Sequence, residues 1–353
     1  MGITSKLSSG LKCLTLVSCL ALLAACASVT TSSARPSPQR FDFAEGGQAT
    51  YFSIDNHLFF TAGQSNQAQF GHAATSLATL VFVVPGSGCV SMGKYLPDYF
   101  RGLEGESGAL RILILQKRHS QQDDTACSDA FIRDDHLSRW QADQNEFIGA
   151  QLRLLQRQGQ HPRRIVMLGI SEGAELAALL AATHPAITHL VMISNGGMQP
   201  LDAFRLLANQ RNEAGDAGLL NEVQRIDEAL LNTLPQTLGK TSGNAALTAA
   251  FIALTEEQIL INGRSRQYWQ ELSQLRHSDN LLSLNKPILL CMGSADQAVP
   301  VESANWLERQ FRALKKTNLQ LHIYPDADHG LRTPFGVHLP DCLHQMDLWL
   351  EKS

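Results

Sequence analysis

Short apolar runs recur along this chain, and stretches with helical spacing separate them. The runs occupy residues 79–84, 111–115, 164–169, 188–193 and 287–293, and residues 51–61 and 319–324 are also strand-like. Continuous apolar runs of this length are typical of strands that are buried on both faces of a sheet. Segments such as 174–182 and 303–314 favour helices, so strands and helices alternate along the chain. This alternation predicts an α/β fold, with a mostly parallel central sheet and helices on both faces.

The alternation stops at residue 200 and resumes at residue 286. Between these points the sequence favours helices, notably over 219–234 and 245–261, and contains no convincing strand. We therefore expect residues 41–199 and 286–353 to form one core, into which residues 200–285 are inserted as a helical cap.

The N-terminus has the features of a secretory signal. Lys6 and Lys12 precede an apolar stretch that ends at Ala25, and this stretch is short for a membrane span. Its last residues, Leu23-Ala24-Ala25-Cys26, resemble the lipobox of bacterial lipoproteins, which implies a signal peptide over 1–25 and acylation of Cys26. Residues 26–40 would then form a lipidated tether. Ordinary cleavage near Ala25 or Ala27 is the alternative.

The location that this signal implies is the bacterial cell envelope. Ala27 follows the cysteine, and by resemblance this favours the outer membrane, facing the periplasm. The net charge of −4 and the absence of a basic block give no reason to expect nucleic-acid binding. No metal-ligand spacing occurs, and no cofactor or metal is expected.

The segment Gly169-Ile170-Ser171-Glu172-Gly173 matches the pattern G-x-S-x-G. A strand is predicted before it and an Ala-rich helix after it, which is the context of a nucleophile elbow. Ser171 is therefore the candidate nucleophile. A plain glycine-rich turn is the alternative interpretation.

A serine nucleophile needs a histidine base that is oriented by a carboxylate. Asp296 and His329 follow the last two predicted strands and stand in the chain order Ser, acid, His. Asp326 and Asp328 lie beside His329 and compete with Asp296, although loop formation is their more common role. His184 and His189 precede the acid and are expected at the surface.

From about residue 50 onward the chain resembles the α/β-hydrolase family, through Gly-Ile-Ser-Glu-Gly, Gly-Ser-Ala-Asp-Gln and Asp-His-Gly in family order. The similarity to esterase, thioesterase and prolyl-peptidase-like members is loose. The resemblance implies an oxyanion hole made of backbone N–H groups. The N–H of Glu172 is one expected donor, and Ser87, with Gly88 as second choice, supplies the other.

The same resemblance places the strands before Cys89 and Cys127 side by side. Their following loops leave the sheet at one edge, so a disulfide between the two is one expectation and two free thiols the other. Cys291 lies within an apolar strand and is expected to be a buried free thiol.

The leading functional hypothesis is a serine hydrolase that cleaves an ester, thioester or amide, most simply a carboxylesterase. A serine peptidase of prolyl-peptidase type and a non-catalytic binding lipoprotein are the alternatives. The expected partners are a small-molecule or peptide acyl substrate and, through the lipid, a membrane.

Overall fold

The computed structural model of the 353-residue chain describes residues 35–56, 76–103, 105, 107–123, 126–231 and 263–353. The expected signal peptide, Cys26 and tether residues up to 34 lie outside the described residues, as does the helix expected over 245–261.

The centre of the described fold is an eight-stranded sheet in the order β1-β2-β4-β3-β5-β6-β7-β8. The strands are β1 (Gln39–Asp42), β2 (Gln48–Asp55), β3 (Thr79–Val84), β4 (Leu110–Leu115), β5 (Arg164–Ile170), β6 (His189–Ile193), β7 (Ile288–Gly293) and β8 (Leu319–Tyr324). The first two strands pair in antiparallel fashion, and β2 also runs antiparallel to β4. The remaining pairs are parallel, which confirms the predicted α/β sheet.

Helices connect and cover these strands. They are α1 (Asp129–Asp134), α2 (Leu137–Arg157), α3 (Gly173–Thr183), α4 (Pro200–Glu213), α5 (Gly218–Leu231), α6 (Arg266–Gln274), α7 (His277–Ser283), α8 (Glu302–Ala313) and α9 (Leu339–Lys352). Two short strands, β9 (Arg332–Thr333) and β10 (Gly336–Val337), form a separate antiparallel ribbon.

The apolar runs are continuous because helices cover both faces of the sheet. In β3, Leu80 and Phe82 belong to the apolar cluster that includes α2, α3, α7 and α8. Val81 and Val83 belong to the opposite cluster, which α9 and the turns at 92–100 complete. All six residues of β3 are buried, as expected for a strand with two covered faces.

The chain between β6 and β7 carries four described helices. Helix α7 lies on the core, because Leu281 is fully buried in the same apolar cluster as α3. The His277 Nε2–H and the Ser278 hydroxyl also donate to the carbonyls of Gly196 and Gly197, at 2.9 and 2.7 Å. The helices α4, α5 and α6 form the rest of the described chain between β6 and β7, and they add Leu201, Ile226 and Trp269 to the same apolar cluster.

The parallel strands place their carboxyl ends at one edge of the sheet. The loops that begin at Pro85, Ser171, Ser194, Ser294 and Pro325 all leave from this edge. Side chains that are far apart in sequence therefore meet there. Within the described ranges, no helix combines the length and the apolar character that crossing a membrane requires.

Candidate active site

Ser171 stands on a sharp turn between β5 and α3, and its φ of 53° lies in the left-handed region. The two glycines of the motif make this turn sterically feasible. A Cβ at Gly169 would lie 2.3 Å from the Cα of Ala174, and a Cβ at Gly173 would lie 2.3 Å from the carbonyl oxygens of Val84 and Pro85. The turn is anchored by the Ser171 N–H, which donates to the Ile193 carbonyl at 2.8 Å. The elbow thus presents Ser171 above the edge of the sheet.

A continuous hydrogen-bond chain connects Ser171, His329 and Asp296. The Ser171 Oγ lies 2.9 Å from the Nε2 of His329. The Nδ1 of the same ring lies 2.9 and 2.8 Å from the two carboxylate oxygens of Asp296. In this arrangement the Nδ1–H donates to the carboxylate, which leaves Nε2 free to accept the hydroxyl proton.

The loop after β7 holds the Asp296 carboxylate rigidly. Its side chain is fully buried, and Oδ1 accepts from the backbone N–H groups of Ala298 and Val299 at 2.7 and 2.9 Å. The rival Asp328 instead accepts from the N–H groups of Gly330 and Arg332, each at 2.8 Å. Asp328 therefore shapes the loop that carries His329, and Asp296 orients the ring.

The loop after β3 lies against the elbow. A Cβ at Gly86 would lie 3.3 Å from the Cβ of Ser171, so the backbone of this loop runs very close to the serine. Ser87 lines the same cavity as Ser171 and Glu172. Of the expected oxyanion residues, the structure therefore brings Glu172 and Ser87 to the serine. Gly88 is not among the described residues that line this cavity.

Two disulfides occur among the described residues. Cys89 and Cys127 are bonded, with their Cα atoms 5.6 Å apart, and the bond joins the loops after β3 and β4. The Ser91 N–H also donates to the Gln121 carbonyl, and the Gln121 N–H donates to the Cys89 carbonyl. Cys291 is bonded to Cys342 of α9. The expectation that Cys291 is buried is confirmed, but the expectation of a free thiol is wrong because α9 packs directly over β7.

The side chain of Glu172 belongs to a cluster of four buried charges. Lys117 and Arg264 are the cations, and Asp135 and Glu172 are the anions. The Arg264 guanidinium lies 2.8 Å from Glu172 Oε2 and also bonds Asp135. Lys117 Nζ lies 2.8 Å from Asp135 and 3.5 Å from Glu172. The cluster is electrically balanced, which a buried set of charges requires.

The cations keep Glu172 ionised despite its burial. Burial by itself would raise the pKa of this carboxyl, but Lys117 and Arg264 lower the pKa to about 2. The opposite holds for Glu175, one turn further along α3. Its burial, followed by the negative charge of Glu172, raises the pKa of Glu175 to about 8. The two neighbouring carboxyls therefore differ in charge at neutral pH.

The cavity beside Ser171 has a volume of about 240 Å³. Its walls are mainly apolar, with Leu201 and Phe204 from α4 and Trp269 and Leu272 from α6. The lining also contains polar residues, among them Glu172, Glu175, Asn195, Arg264 and Tyr268. The arrangement suits an apolar group of modest size next to a serine nucleophile.

Other histidines take no part in this site. His189 is buried in β6, where Nδ1 lies 2.7 Å from the Thr188 hydroxyl, so the expectation of a surface position is wrong. Strand β6 is covered on both faces, and burial lowers the pKa of His189 to about 4. Among the described residues, no group of three His, Cys, Asp or Glu side chains is placed to hold a metal ion.

Sequence reasoning did not find Lys117, Asp135, Glu175, Asn195 or Arg264. Asn195 had a usable signal, because it directly follows β6 at the same edge of the sheet as Ser171. Its Nδ2 donates to the Ser171 carbonyl at 2.9 Å. The members of the ion cluster come from four separate segments, and no spacing in the sequence connects them.

Comparison with known proteins supports the class of this fold. A model of the prolyl oligopeptidase family matches residues 243–352, a span that includes Asp296 and His329 but not Ser171. No curated protein sequence matches the chain significantly.

Solved structures resemble the chain over most of its length. Est1E from Butyrivibrio proteoclasticus with bound ferulic acid has 16% identity and a TM-score of 0.55, covering 89% of this chain and 100% of Est1E. An α/β-hydrolase fold protein from Chitinophaga pinensis has 15% identity and a TM-score of 0.50, with 91% and 99% covered.

The acylaminoacyl peptidase of Pyrococcus horikoshii has 12% identity and a TM-score of 0.51, covering 90% of this chain. The match spans only 41% of that peptidase. The chain thus has the α/β-hydrolase fold. The match of residues 243–352 to the prolyl oligopeptidase family supports a serine hydrolase on this fold.

Proposed function

We propose that this protein hydrolyses carboxylic esters through Ser171, His329 and Asp296, with thioesters and amides as chemically related substrates. The observation that carries the proposal is the unbroken hydrogen-bond chain from the Ser171 hydroxyl through the imidazole to a buried carboxylate. A serine hydroxyl becomes a useful nucleophile only when such a base removes its proton.

In the proposed reaction, the Ser171 Oγ attacks the carbonyl carbon of the ester while His329 Nε2 takes the hydroxyl proton. The tetrahedral intermediate collapses when the imidazolium donates this proton to the leaving alkoxide, which departs as the alcohol. Water then attacks the acyl-enzyme and gives its proton to the same nitrogen. The acid is released, and Ser171 regains its proton. Asp296 stabilises the imidazolium in both halves of the cycle.

The negative charge that develops on the carbonyl oxygen needs hydrogen-bond donors. The proposed donors are the backbone N–H of Glu172, the N-cap residue that precedes α3, and a backbone N–H of the loop after β3. Ser87 is the better candidate in that loop, because it lines the same cavity as Ser171. The bond between Cys89 and Cys127 tethers this loop two residues further on. Such pre-positioned donors commonly supply the largest part of transition-state stabilisation.

Active-site labelling tests this proposal. The purified chain should react stoichiometrically with a fluorophosphonate, and peptide mass spectrometry should locate the adduct on Ser171. Ser171→Ala should abolish both the labelling and the hydrolysis of p-nitrophenyl butyrate. Ser283→Ala, which alters an exposed serine of α7, is the matched control and should retain both. A wild-type chain that neither labels nor hydrolyses acyl esters would instead support a non-catalytic binding protein.

A serine peptidase is the second candidate function. The match of residues 243–352 to the prolyl oligopeptidase family and the likeness to an acylaminoacyl peptidase favour it. Comparing kcat/KM for p-nitrophenyl esters with kcat/KM for aminoacyl p-nitroanilides distinguishes the two functions. Faster cleavage of the anilides would reverse our ranking.

We further propose that the chain is a lipoprotein anchored to the outer membrane and facing the periplasm. The support comes from the sequence around Cys26, which lies outside the described residues. Metabolic labelling with a palmitate analogue should mark the wild type, and Cys26→Ala should release the protein from membranes. A wild-type protein that is unlabelled and fully soluble would contradict this assignment.

A further inference from the structure

Two carboxyl oxygens of residues that line the cavity beside Ser171 have no hydrogen-bond partner, Glu172 Oε1 and Glu175 Oε2. The Oε2 atom of Glu175 is buried and forms no hydrogen bond within the protein. The other oxygen, Oε1, has only a long contact of 3.5 Å with the Nδ2 of Asn195. Buried polar atoms are nearly always hydrogen-bonded, so one that lines a cavity needs a reason. A ligand in the cavity would supply the missing partner.

Glu175 is close to the reacting serine. The Nδ2 of Asn195 contacts both residues, at 2.9 Å from the Ser171 carbonyl and 3.5 Å from Glu175 Oε1. Glu172, Glu175 and Asn195 line the same cavity as Ser171. A group bound next to Glu175 therefore belongs to the part of the substrate that lies near the scissile carbonyl.

The charges around Glu175 decide what it can bind. The groups that act on it are Glu172, Asn195, Arg264 and Lys117, and the buried hydroxyl of Tyr268 also interacts electrostatically with Glu175. The two cations are already engaged by Glu172 and Asp135, so no positive charge remains to compensate a second carboxylate. Burial and the charge of Glu172 raise the pKa of Glu175 to about 8, so its carboxyl keeps its proton at neutral pH. A protonated carboxyl donates a hydrogen bond to a neutral oxygen.

A substrate ammonium group fits this environment poorly. An ion pair would require Glu175 to release its proton to solvent, and the ammonium group would lie near the positive charges of Arg264 and Lys117. The apolar walls from Leu201, Phe204 and Leu272 also provide no hydrogen-bond acceptor for such a charge. An uncharged oxygen on an otherwise apolar group matches both the walls and the donor.

We propose that Glu175 is a specificity-determining residue, which selects acyl groups that carry a neutral oxygen, such as a hydroxyl, on a short aliphatic or aromatic body. This inference rests on the proposed ester hydrolysis at Ser171. It assigns the cavity to the acyl side of the substrate and gives the hydroxyl or carbonyl oxygen of that acyl group a hydrogen bond from the Glu175 carboxyl.

Matched ester pairs test the inference. The first pair is the p-nitrophenyl esters of butanoic and 3-hydroxybutanoic acid, and the second pair is those of 3-phenylpropanoic and 3-(4-hydroxyphenyl)propanoic acid. In at least one pair, the wild type should prefer the hydroxylated ester by about tenfold in kcat/KM, the effect of one hydrogen bond to a buried group. Glu175→Gln retains a donor and should keep most of this preference, whereas Glu175→Leu should lose it.

The ratio within a pair separates binding from a structural effect. A damaged fold lowers both rates together, and only a lost hydrogen bond changes their ratio. Glu213→Leu, at an exposed position of α4, is the matched control and should leave the ratio unchanged. The preference should also decline as the pH rises past about 8, because Glu175 then loses the proton that it donates. A ratio near one in both pairs, or a preference that survives Glu175→Leu, overturns the inference.

Binding to the Ser171→Ala variant keeps this test independent of catalysis. Calorimetry with the methyl esters of the same four acids should show tighter binding of the hydroxylated member of the preferred pair, and Ser171→Ala/Glu175→Leu should abolish the difference. Equal dissociation constants in both pairs would contradict the inference even in a chain that hydrolyses esters. Failure of fluorophosphonate labelling, by contrast, would contradict the proposed function itself.

Discussion

Removal of Arg264 is expected to cost more stability than removal of almost any other arginine in the described fold. Its guanidinium bonds both Asp135 and Glu172, and Lys117 is the second cation of the cluster. The side chains of Lys117, Asp135 and Glu172 are only 6%, 3% and 9% exposed. Arg264→Leu would leave two buried carboxylates facing one ammonium group. Breaking a buried ion pair by removing one partner costs about 3–5 kcal/mol.

This loss is a large share of the whole stability of a domain, which is usually about 5–15 kcal/mol. Urea denaturation followed by circular dichroism measures it as a change in the free energy of unfolding. The matched control is Arg225→Leu. Arg225 is 59% exposed and pairs with Glu222 on the surface of α5, so its loss should cost no more than about 1 kcal/mol.

A double variant checks the physical reason. If an uncompensated carboxylate causes the loss, Arg264→Leu/Glu172→Gln should recover about 1 kcal/mol or more relative to Arg264→Leu, since the charges are again balanced. If Arg264→Leu lowers the free energy of unfolding by less than about 1 kcal/mol, the four charges do not stabilise one another in the way that their contacts indicate. The same conclusion would follow if the double variant were less stable than the sum of its single changes.

Three further predictions follow from the site. Asp296→Asn should lower kcat on the order of 10⁴-fold, because the imidazole loses its fixed tautomer. Asp328→Asn should lower kcat far less. The reverse ranking of the two variants would assign the acid role to the loop of His329. Glu175→Gln should stabilise the fold at neutral pH. The pKa of Glu175 is raised to about 8 in the folded state. Between about pH 4.5 and 8, Glu175 is therefore ionised in the unfolded chain but still protonated in the folded chain. The wild type loses stability as the pH rises through this range. Denaturation at pH 5 and pH 8 should therefore show a larger advantage of the variant at pH 8, and equal advantages would count against the buried neutral acid. Cys89→Ser/Cys127→Ser should lower the free energy of unfolding by about 4 kcal/mol for a sequence separation of 38 residues, and reductant should destabilise this variant less than the wild type.

The central strands were predictable because both faces of the sheet are covered. A strand of this kind has no exposed position, so its sequence is a continuous apolar run, and β3 begins and ends at the predicted residues. The edge strand β8 also has the predicted bounds, although Gln320 and Ile323 are exposed. The end of β2 was less predictable. The strand-like stretch 51–61 overlaps the described strand Gln48–Asp55, and residues 57–61 lie outside the described residues. The start of the fold also differs, since β1 begins at Gln39, within the segment expected to be a tether.

The elbow and the histidine loop could be predicted because each consists of a few residues that are adjacent in the sequence. At positions 169 and 173 a side chain would clash with neighbouring backbone atoms, so glycine is required there. The pattern of two glycines around a serine, with a strand before it and a helix after it, therefore predicts the elbow. The choice between Asp296 and Asp328 could not be made from spacing alone. It depends on which carboxylate reaches Nδ1 of His329, and the backbone hydrogen bonds of the two loops decide that.

The ion cluster could not be predicted because it depends on contacts between distant segments. Lys117 follows β4, Asp135 follows α1, and Arg264 stands just before α6. Each residue alone would be read as an ordinary surface charge, since Lys, Arg and Asp are rarely buried unless they are paired. The bond from Cys291 to Cys342 was missed for the same reason, because it requires knowing that α9 lies over β7.

The cluster also explains how an acidic residue can follow the proposed nucleophile. The reaction we propose creates a negative charge next to the backbone N–H of Glu172, and an uncompensated carboxylate on the same residue would oppose that charge. Arg264 and Lys117 neutralise the carboxylate and hold it among Asp135 and Tyr268. Arg264 directly precedes α6, which supplies Trp269 and Leu272 to the cavity wall. The ion pair between Arg264 and Glu172 therefore joins the wall of the cavity beside Ser171 to the proposed oxyanion donor, so a change that displaces α6 should lower kcat as well as substrate binding.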